Sequence, residues 1–274
     1  MYYSANKFLN NLTYFIYGLI QGITEFLPIS STAHLKIVSL FLGLDDPGSN
    51  LSAIVQLGSV LAIFFYFRTD LNKFIKKNKI NFDDYLFSNK LLKSIIIGTI
   101  PIVFLGGFIK LTIPDFSESF LRSNTFIALM SIFTGILMLI SDNKNNLKYS
   151  ISFHSYLSSF FIGIGQAFAI FPGVSRSGIT ITISLLLGWK KEDSVRFSFL
   201  LGIPAIFLSS IFELTNGINN SLIASPFQIL IGLASSFLTS LIALHFIIKF
   251  IKLNGLSLFV YYKIIFGIFV ILLN

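Results

Sequence analysis

Runs of fifteen or more residues almost empty of charge recur along this chain: Ile95–Ile109, Phe126–Ile140, Phe197–Phe212, Phe227–Ile248 and Leu256–Leu273. Each approaches the roughly 17–25 apolar residues that carry a helix across a bilayer. A soluble helical core would alternate a polar face with an apolar one, and these runs carry none. Composition agrees: 12% of residues are charged, against about 25% in an average soluble domain. There is no cysteine, so disulfides and thiolate metal sites are excluded. The N-terminal apolar run follows Lys7, carries Gln21 and Glu25 and lacks a small-residue cleavage site. It reads as mature protein rather than a signal peptide.

A net charge of +8 would suit nucleic acid, but its distribution argues for a membrane and against that partner. Fourteen of the twenty basic residues fall in four polar segments: Arg68–Lys93, Lys144–Lys148, Lys190–Arg196 and Lys249–Lys252. The alternating polar segments hold three: Lys7, Lys110 and Arg122. This asymmetry places the four basic loops in the cytoplasm. Six spans follow, at Ser52–Phe67, Ser94–Ile109, Thr125–Ile140, Phe197–Phe212, Phe227–Ile248 and Leu256–Leu273. The apolar stretches Leu12–Leu42 and Tyr156–Gly188 are each interrupted by a proline and a Ser-rich turn, and the flanking loops require each to enter and leave on one face. They read as re-entrant helical hairpins, tolerated only where irregular backbone is buried or lines a cavity. The expectation is an all-α integral membrane protein of one domain, residues 1–274. Six transmembrane helices and two re-entrant hairpins form an inverted-topology repeat, approximately 8–145 and 152–274. Such repeats place their sites near the midplane, where broken helices meet.

Each hairpin carries a polar island. The first runs Gln21-Gly22-Ile23-Thr24-Glu25-Phe26-Leu27-Pro28-Ile29-Ser30-Ser31-Thr32-Ala33-His34. Gln21 and Glu25 are four apart and share a helical face. A lone carboxylate in an apolar interior costs several kcal/mol unless a cation or hydrogen bonds compensate. Arg176 or a divalent metal could do so, and a purely structural ion pair is the bland alternative. Pro28 breaks the helix, and Ser30 or Ser31 can cap the next one. Ser31 and His34 are three apart, a spacing that suits an activated nucleophile or an acid–base pair but suits a capping serine and a hydrogen-bonded histidine equally. The second island is Pro172-Gly173-Val174-Ser175-Arg176-Ser177-Gly178, leading through Ile179 to Thr180. Gly173 and Gly178 permit close backbone approach. A helix N-terminus offers N–H groups to an anion, and Arg176 adds a fork of donors suited to phosphate. One of Ser175 and Ser177 can be simple turn chemistry. Together the islands fit hydrolysis of a phosphate compound, and their depth points to a lipid-linked one.

These motifs, with the supporting segments Val55-Gln56-Leu57-Gly58-Ser59 and Phe197-Ser198-Phe199-Leu200-Leu201, resemble the undecaprenyl-diphosphatase family, also called the bacitracin-resistance protein family. The resemblance spans essentially the whole chain. It implies an enzyme of the bacterial cytoplasmic (inner) membrane that hydrolyses undecaprenyl diphosphate to undecaprenyl phosphate and inorganic phosphate, recycling the lipid carrier of cell-wall synthesis. It also implies a divalent cation, Mg2+ or Ca2+, and a site opening to the outer face. Within it Glu25 is a metal or acid–base residue, and Ser31 and His34 are catalytic, either one as nucleophile. Arg176, Ser175 and Thr180 grip the diphosphate, with Ser30, Gly173 and Ser177 lining its place. Many relatives carry Glu where this chain has Gln21; the amide binds metal more weakly, which favours Gln21 as a residue orienting Glu25 or a water. The implied partners are the polyprenyl diphosphate lipid and the membrane, with a homodimer left open. A lipid-phosphate flippase is the rival class, since inverted repeats with broken helices are transporter architecture.

The absence of native cysteine makes the topology directly testable. An impermeant thiol reagent applied to intact cells is expected to label Asn219→Cys and to spare Lys77→Cys. The reverse pattern would overturn the assignment of cytoplasmic loops.

Overall fold

The computed structural model describes residues 2–43, 48–69, 82–113, 119–143, 147–151, 155–218 and 225–273. The described residues form the helices α1 (Tyr2–Phe26), α2 (Ser31–Leu42), α3 (Gly48–Tyr66), α4 (Phe82–Thr112), α5 (Asn124–Asp142), α6 (Tyr156–Phe168), α7 (Arg176–Leu186), α8 (Lys191–Ile218), α9 (Pro226–Asn254) and α10 (Ser257–Leu272), with a 3₁₀ turn at Phe120–Arg122. The β-structure among them is one isolated bridge between Tyr149 and Trp189. Four helices are long and apolar enough to cross a membrane: α4 over Asn89–Thr112, α5, α8 over Lys191–Ile211, and α9. The segments expected as the first and last spans form shorter apolar helices, Leu51–Tyr66 and Ser257–Leu272. The loop bearing Lys73–Lys79 and the segment holding Asn219 and Asn220 lie outside the described residues.

The two interrupted stretches fold as helical pairs, α1–α2 and α6–α7. A short turn containing Pro28 breaks the first and one containing Pro172 the second. α1 starts at Tyr2, ten residues before the arm expected from Leu12, because the residues preceding Leu12 include neither glycine nor proline and continue the helix. Serines set the helix starts. Ser155 and Ser225 form capping boxes with Ser158 and Gln228, satisfying donors that the first helical turn leaves unpaired.

Two crossings bring the halves of the chain together. α1 lies against α9, and α6 lies against α4, while α5 pairs with α10 and α3 sits between α8 and α9. Both of the first two crossings are made by glycine. A Cβ on Gly22 would strike the backbone of Ser236 and Ser240, and one on Gly163 would strike the backbone of Gly98. Small residues at helix interfaces allow this approach, which drives packing where lipid is as apolar as the side chains. The outer faces of the helices are apolar, with Leu111 83% and Phe104 75% exposed, as a lipid-facing surface requires. The largest buried cluster joins Phe26 and Ile29 of the first hairpin to Ile181 and Leu185 of the second through Phe197, Phe199 and Leu201 of α8.

At one end of α5, Asp142 ties three elements together. Its Oδ2 accepts from the Leu256 N–H at 2.8 Å and from Ser257 Oγ at 2.9 Å, and its Oδ1 lies 2.9 Å from Lys191 Nζ. The carboxylate thereby starts α10 after the positive-φ turn at Gly255 (φ 73°). Asp142→Ala should destabilise the protein by about 2–3 kcal/mol, because it strips two hydrogen bonds and an ion pair from a buried group. Lys191→Ala, at the more exposed partner, should cost less. Thermal unfolding in detergent ranks the two, and equal losses would show that the ion pair alone matters.

Candidate active site

α1 ends at Phe26 because Pro28 cannot continue it. Leu27-Pro28-Ile29 turns tightly, with the Ile29 N–H bonded to the Leu27 carbonyl at 2.7 Å. Ser30 follows at φ 76°, ψ 99°, and it is the one non-glycine residue with positive φ among the described residues. Such backbone is strained and persists only where its surroundings over-determine it. Here the Ser30 carbonyl accepts from both the His34 N–H (3.3 Å) and His34 Nδ1 (2.7 Å). Ser30 occupies the cap position of α2 but makes no side-chain cap, contrary to the reading of Ser30 or Ser31 as a capping serine. Ser31 does not cap either: its Oγ points back to α1 and donates to Glu25 Oε2 at 2.8 Å.

The second island folds as a turn leading into α7. Gly173 turns at φ 91°, and its Cα passes so near α5 that a Cβ would meet the Ile127 carbonyl. Ser175 caps α7, its Oγ accepting from the Gly178 N–H at 3.2 Å. Ser177 Oγ lies 3.2 Å from Ser175 Oγ and donates across the hairpins to the Leu27 carbonyl at 3.3 Å. Thr180 Oγ1 donates back to the Arg176 carbonyl at 2.8 Å and meets Ser198 Oγ of α8 at 2.6 Å. The hydroxyls of Ser175, Ser177 and Thr180 are buried and engaged by protein groups, so they fix the backbone around Arg176.

The halves meet at one carboxylate. Gln21 Nε2 donates to Glu25 Oε2 at 2.8 Å, sharing that oxygen with Ser31, while Arg176 Nη2 lies 3.4 Å from Glu25 Oε1. The guanidinium is also held by the Ser198 carbonyl, 3.1 Å from Nη1. It lies flat over Gly202, where a Cβ would take its place. Gln21, Glu25, Ser31 and Arg176 are thus one connected group. Two of its buried atoms have no partner: Gln21 Oε1, an acceptor, and Arg176 Nε, a donor.

His34 stands apart from this group, and the Ser31–His34 pair suggested by their spacing does not form. Because a carbonyl only accepts, Nδ1 carries the proton it gives to Ser30, and Nε2 faces the Tyr262 hydroxyl at 2.6 Å. The ring stacks on Phe266, with centroids 4.6 Å apart and planes 13° from parallel. Both nitrogens are engaged, by the Ser30 carbonyl and the Tyr262 hydroxyl, and the group that touches Ser31 Oγ is the Glu25 carboxylate.

The donor set suits a hard divalent cation. Glu25 offers a carboxylate and Gln21 an unpartnered oxygen, which are the ligand types of Mg2+ and Ca2+. Among the described residues no three His, Asp or Glu side chains gather to hold a metal. A cation at Glu25 would complete its shell with phosphate oxygens and water, the usual arrangement for Mg2+. The sequence marked Ser198 only as part of a supporting segment and gave no notice of Gly202, one helical turn further along α8, nor of Tyr262 and the buried Lys263 on α10. A lysine within the last apolar run was the one available signal.

The model of the family described as Bacitracin resistance protein BacA matches residues 14–269. A protein named undecaprenyl-diphosphatase from Prochlorococcus marinus (strain MIT 9301) is 52% identical over 263 residues, covering 96% of this chain and 98% of that protein. A protein of the same name from strain MIT 9312 is 53% identical over 267 residues, covering 97% and 99%. Another from Synechococcus sp. (strain RCC307) is 40% identical over 256 residues, covering 92% and 90%. A match of this length takes in both hairpin turns and the residues of α5, α8 and α10 around them, and the chain belongs to the bacitracin resistance protein BacA family.

Proposed function

We propose that this chain hydrolyses undecaprenyl diphosphate to undecaprenyl phosphate and inorganic phosphate, returning the lipid carrier to cell-wall synthesis. The observation that carries the reading is the buried carboxylate of Glu25, which holds Ser31, Gln21 and Arg176 together at the meeting of two broken helices. The shared family and the name of its relatives support the same chemistry. The setting is the bacterial cytoplasmic membrane, with six spans and two re-entrant hairpins in inverted repeats, approximately 8–145 and 152–274. The pairing of α1 with α9 and of α6 with α4 supports this arrangement, since each hairpin of one half then lies on the corresponding span of the other.

The terminal phosphate of the lipid lies between Arg176 and the N-terminus of α7. The long 3.4 Å contact of Arg176 with Glu25 exchanges for a phosphate oxygen, and the free Nε–H gives a second donor in the same plane, the fork geometry that grips phosphate. Ser31 passes its proton to Glu25 as its Oγ bonds to the terminal phosphorus. The bond from that phosphorus to the bridging oxygen breaks, and undecaprenyl phosphate departs. Water then attacks the phosphoserine, releasing inorganic phosphate and restoring the hydroxyl. Gln21 keeps Glu25 aimed at Ser31, and His34 keeps the Ser30 turn in place. A divalent cation held by Glu25 and Gln21 would neutralise phosphate charge and polarise the phosphoryl group.

Phosphate release by purified protein in detergent tests the reading. Glu25→Gln, at matched folded protein, should lower turnover about 10²–10⁴-fold, the usual weight of a positioned base. Robust turnover by the folded variant would remove Glu25 from the chemistry. Label from the terminal phosphate should be trapped on the parent after a denaturing quench and be absent from Ser31→Ala.

Arg176→Lys keeps the charge but loses the planar fork, and should cost about 10²-fold in kcat/KM, the scale of one lost transition-state donor. Parent-like kcat/KM in Arg176→Lys would show that a point charge suffices and that the phosphate is gripped elsewhere.

A further inference from the structure

Lys263 lies within α10 with none of its surface exposed. Its Nζ donates to the Gly173 carbonyl at 2.9 Å. An ammonium has three N–H donors, and this carbonyl takes one. Ionisable side chains at membrane depth ordinarily find a countercharge or reach for the interface. Lys263 does neither: it is turned inward, and among the described residues the ion pairs are Glu25–Arg176, Asp142–Lys191 and Glu192–Lys252. Glu25, the carboxylate of the site, is already matched by Arg176. The pair of Glu25 and Arg176 is therefore neutral, and a diphosphate ligand would find there only the charge of the accompanying cation.

Anchoring the turn does not by itself call for a lysine. Ser131 of α5 already directs its hydroxyl at the same Gly173 carbonyl, at 3.4 Å, and a neutral amide could add a second donor without burying charge. An uncompensated ammonium is the costliest donor for that task. Where a protein keeps such a group, the missing counterion is the first thing to seek in what binds there. Gly173 opens the turn that runs through Val174 and Ser175 into α7, the helix whose N-terminus faces the phosphate in the mechanism above. Tyr262, the chain neighbour of Lys263, holds His34, so α10 supports both hairpin turns from the same side.

We infer that Lys263 is a positioning residue for the diphosphate: it fixes the Gly173 turn in front of α7 and, protonated when the anionic headgroup is bound, adds from behind that turn a positive charge that the neutral Glu25–Arg176 pair does not supply. The inference rests on the hydrolase reading above. The anionic headgroup is its countercharge, acting through a poorly screened interior rather than by contact. A field of this kind strengthens substrate binding more than it alters the reacting bonds, so its loss appears mainly in KM.

Charge and hydrogen bond are separated by three substitutions: Lys263→Arg keeps both, Lys263→Gln keeps a donor without charge, and Lys263→Met keeps neither. KM and kcat for the lipid diphosphate are measured beside thermal unfolding in the same detergent. Lys263→Arg should stay within about twofold of the parent KM, while Lys263→Gln and Lys263→Met should raise KM roughly tenfold with a smaller change in kcat, the size expected of one charge across a protein interior. Neither neutral variant should unfold at a lower temperature than the parent, since each removes an uncompensated buried charge. A parent-like KM in Lys263→Gln overturns the inference, and so does a fall in unfolding temperature shared by both neutral variants, which would make the residue an anchor only. If Lys263→Gln does not fold, Lys263→Met decides by the same two measurements. A parent protein that releases no phosphate would withdraw the hydrolase reading itself, whereas an active parent with an unchanged Lys263→Gln overturns this inference alone.

Discussion

A carboxylate inside an apolar bundle has to be surrounded by donors or it cannot stay charged, and Glu25 draws its donors from both ends of the chain. Gln21 comes from the same helix, Ser31 from beyond the break at Pro28, and Arg176 from the second hairpin. That last contact spans 151 residues and requires the two hairpin turns to face each other. The rest of the interior is arranged around the requirement. Ser177 bonds the Leu27 carbonyl of the opposite turn, and α8 is small at Gly202 so that the guanidinium can lie across it. The glycine crossings of α1 on α9 and of α6 on α4 bring the hairpin arms close enough for the turns to meet. Substituting a larger residue at these crossings would separate the turns before it touched the site.

Strain is placed where the chemistry needs direction. Ser30 holds a left-handed conformation unfavourable to a side chain, and the two bonds from His34 to its carbonyl keep it there. His34 is in turn locked between Tyr262 and Phe266 of α10. The consequence is a Ser31 hydroxyl directed at Glu25 rather than along its own helix. A histidine held in this way stiffens a turn from the side.

Much of this was legible in the sequence, because hydrophobic runs and helix breakers act locally. The apolar segments became helices, Pro28 and Pro172 broke them, and Gln21 with Glu25 and Ser175 with Arg176 were already recognisable as two related islands. Helix ends were less legible: nothing before Leu12 stops a helix, so α1 runs back to Tyr2. The Ser31–His34 spacing misled for a physical reason. Three residues along a helix make a pair available, but Glu25 competes for the hydroxyl and Tyr262, 228 residues away, competes for the ring. The contacts of Ser198, Gly202 and Lys263 left no mark in local spacing, since each forms only when α8 or α10 closes over the turn.

Satisfaction of polar groups separates a site from a structural ion pair. In a structural network every buried donor and acceptor finds a protein partner, because each orphan costs stability. Here the serines and Thr180 are fully engaged, whereas the groups nearest Glu25 are not: Gln21 Oε1 and Arg176 Nε are buried without partners. The unmatched atoms nearest Glu25 are an oxygen acceptor and a guanidinium donor, and behind the Gly173 turn stands Lys263, with no carboxylate paired to it among the described residues. An anion bearing oxygens, accompanied by a cation, would complete all three at once. Other buried polar atoms also stand without a partner, among them both amide atoms of Gln166 and the Thr182 hydroxyl, but Gln21 Oε1 and Arg176 Nε belong to the one connected group that joins the two hairpins, where a phosphorylated lipid headgroup would sit.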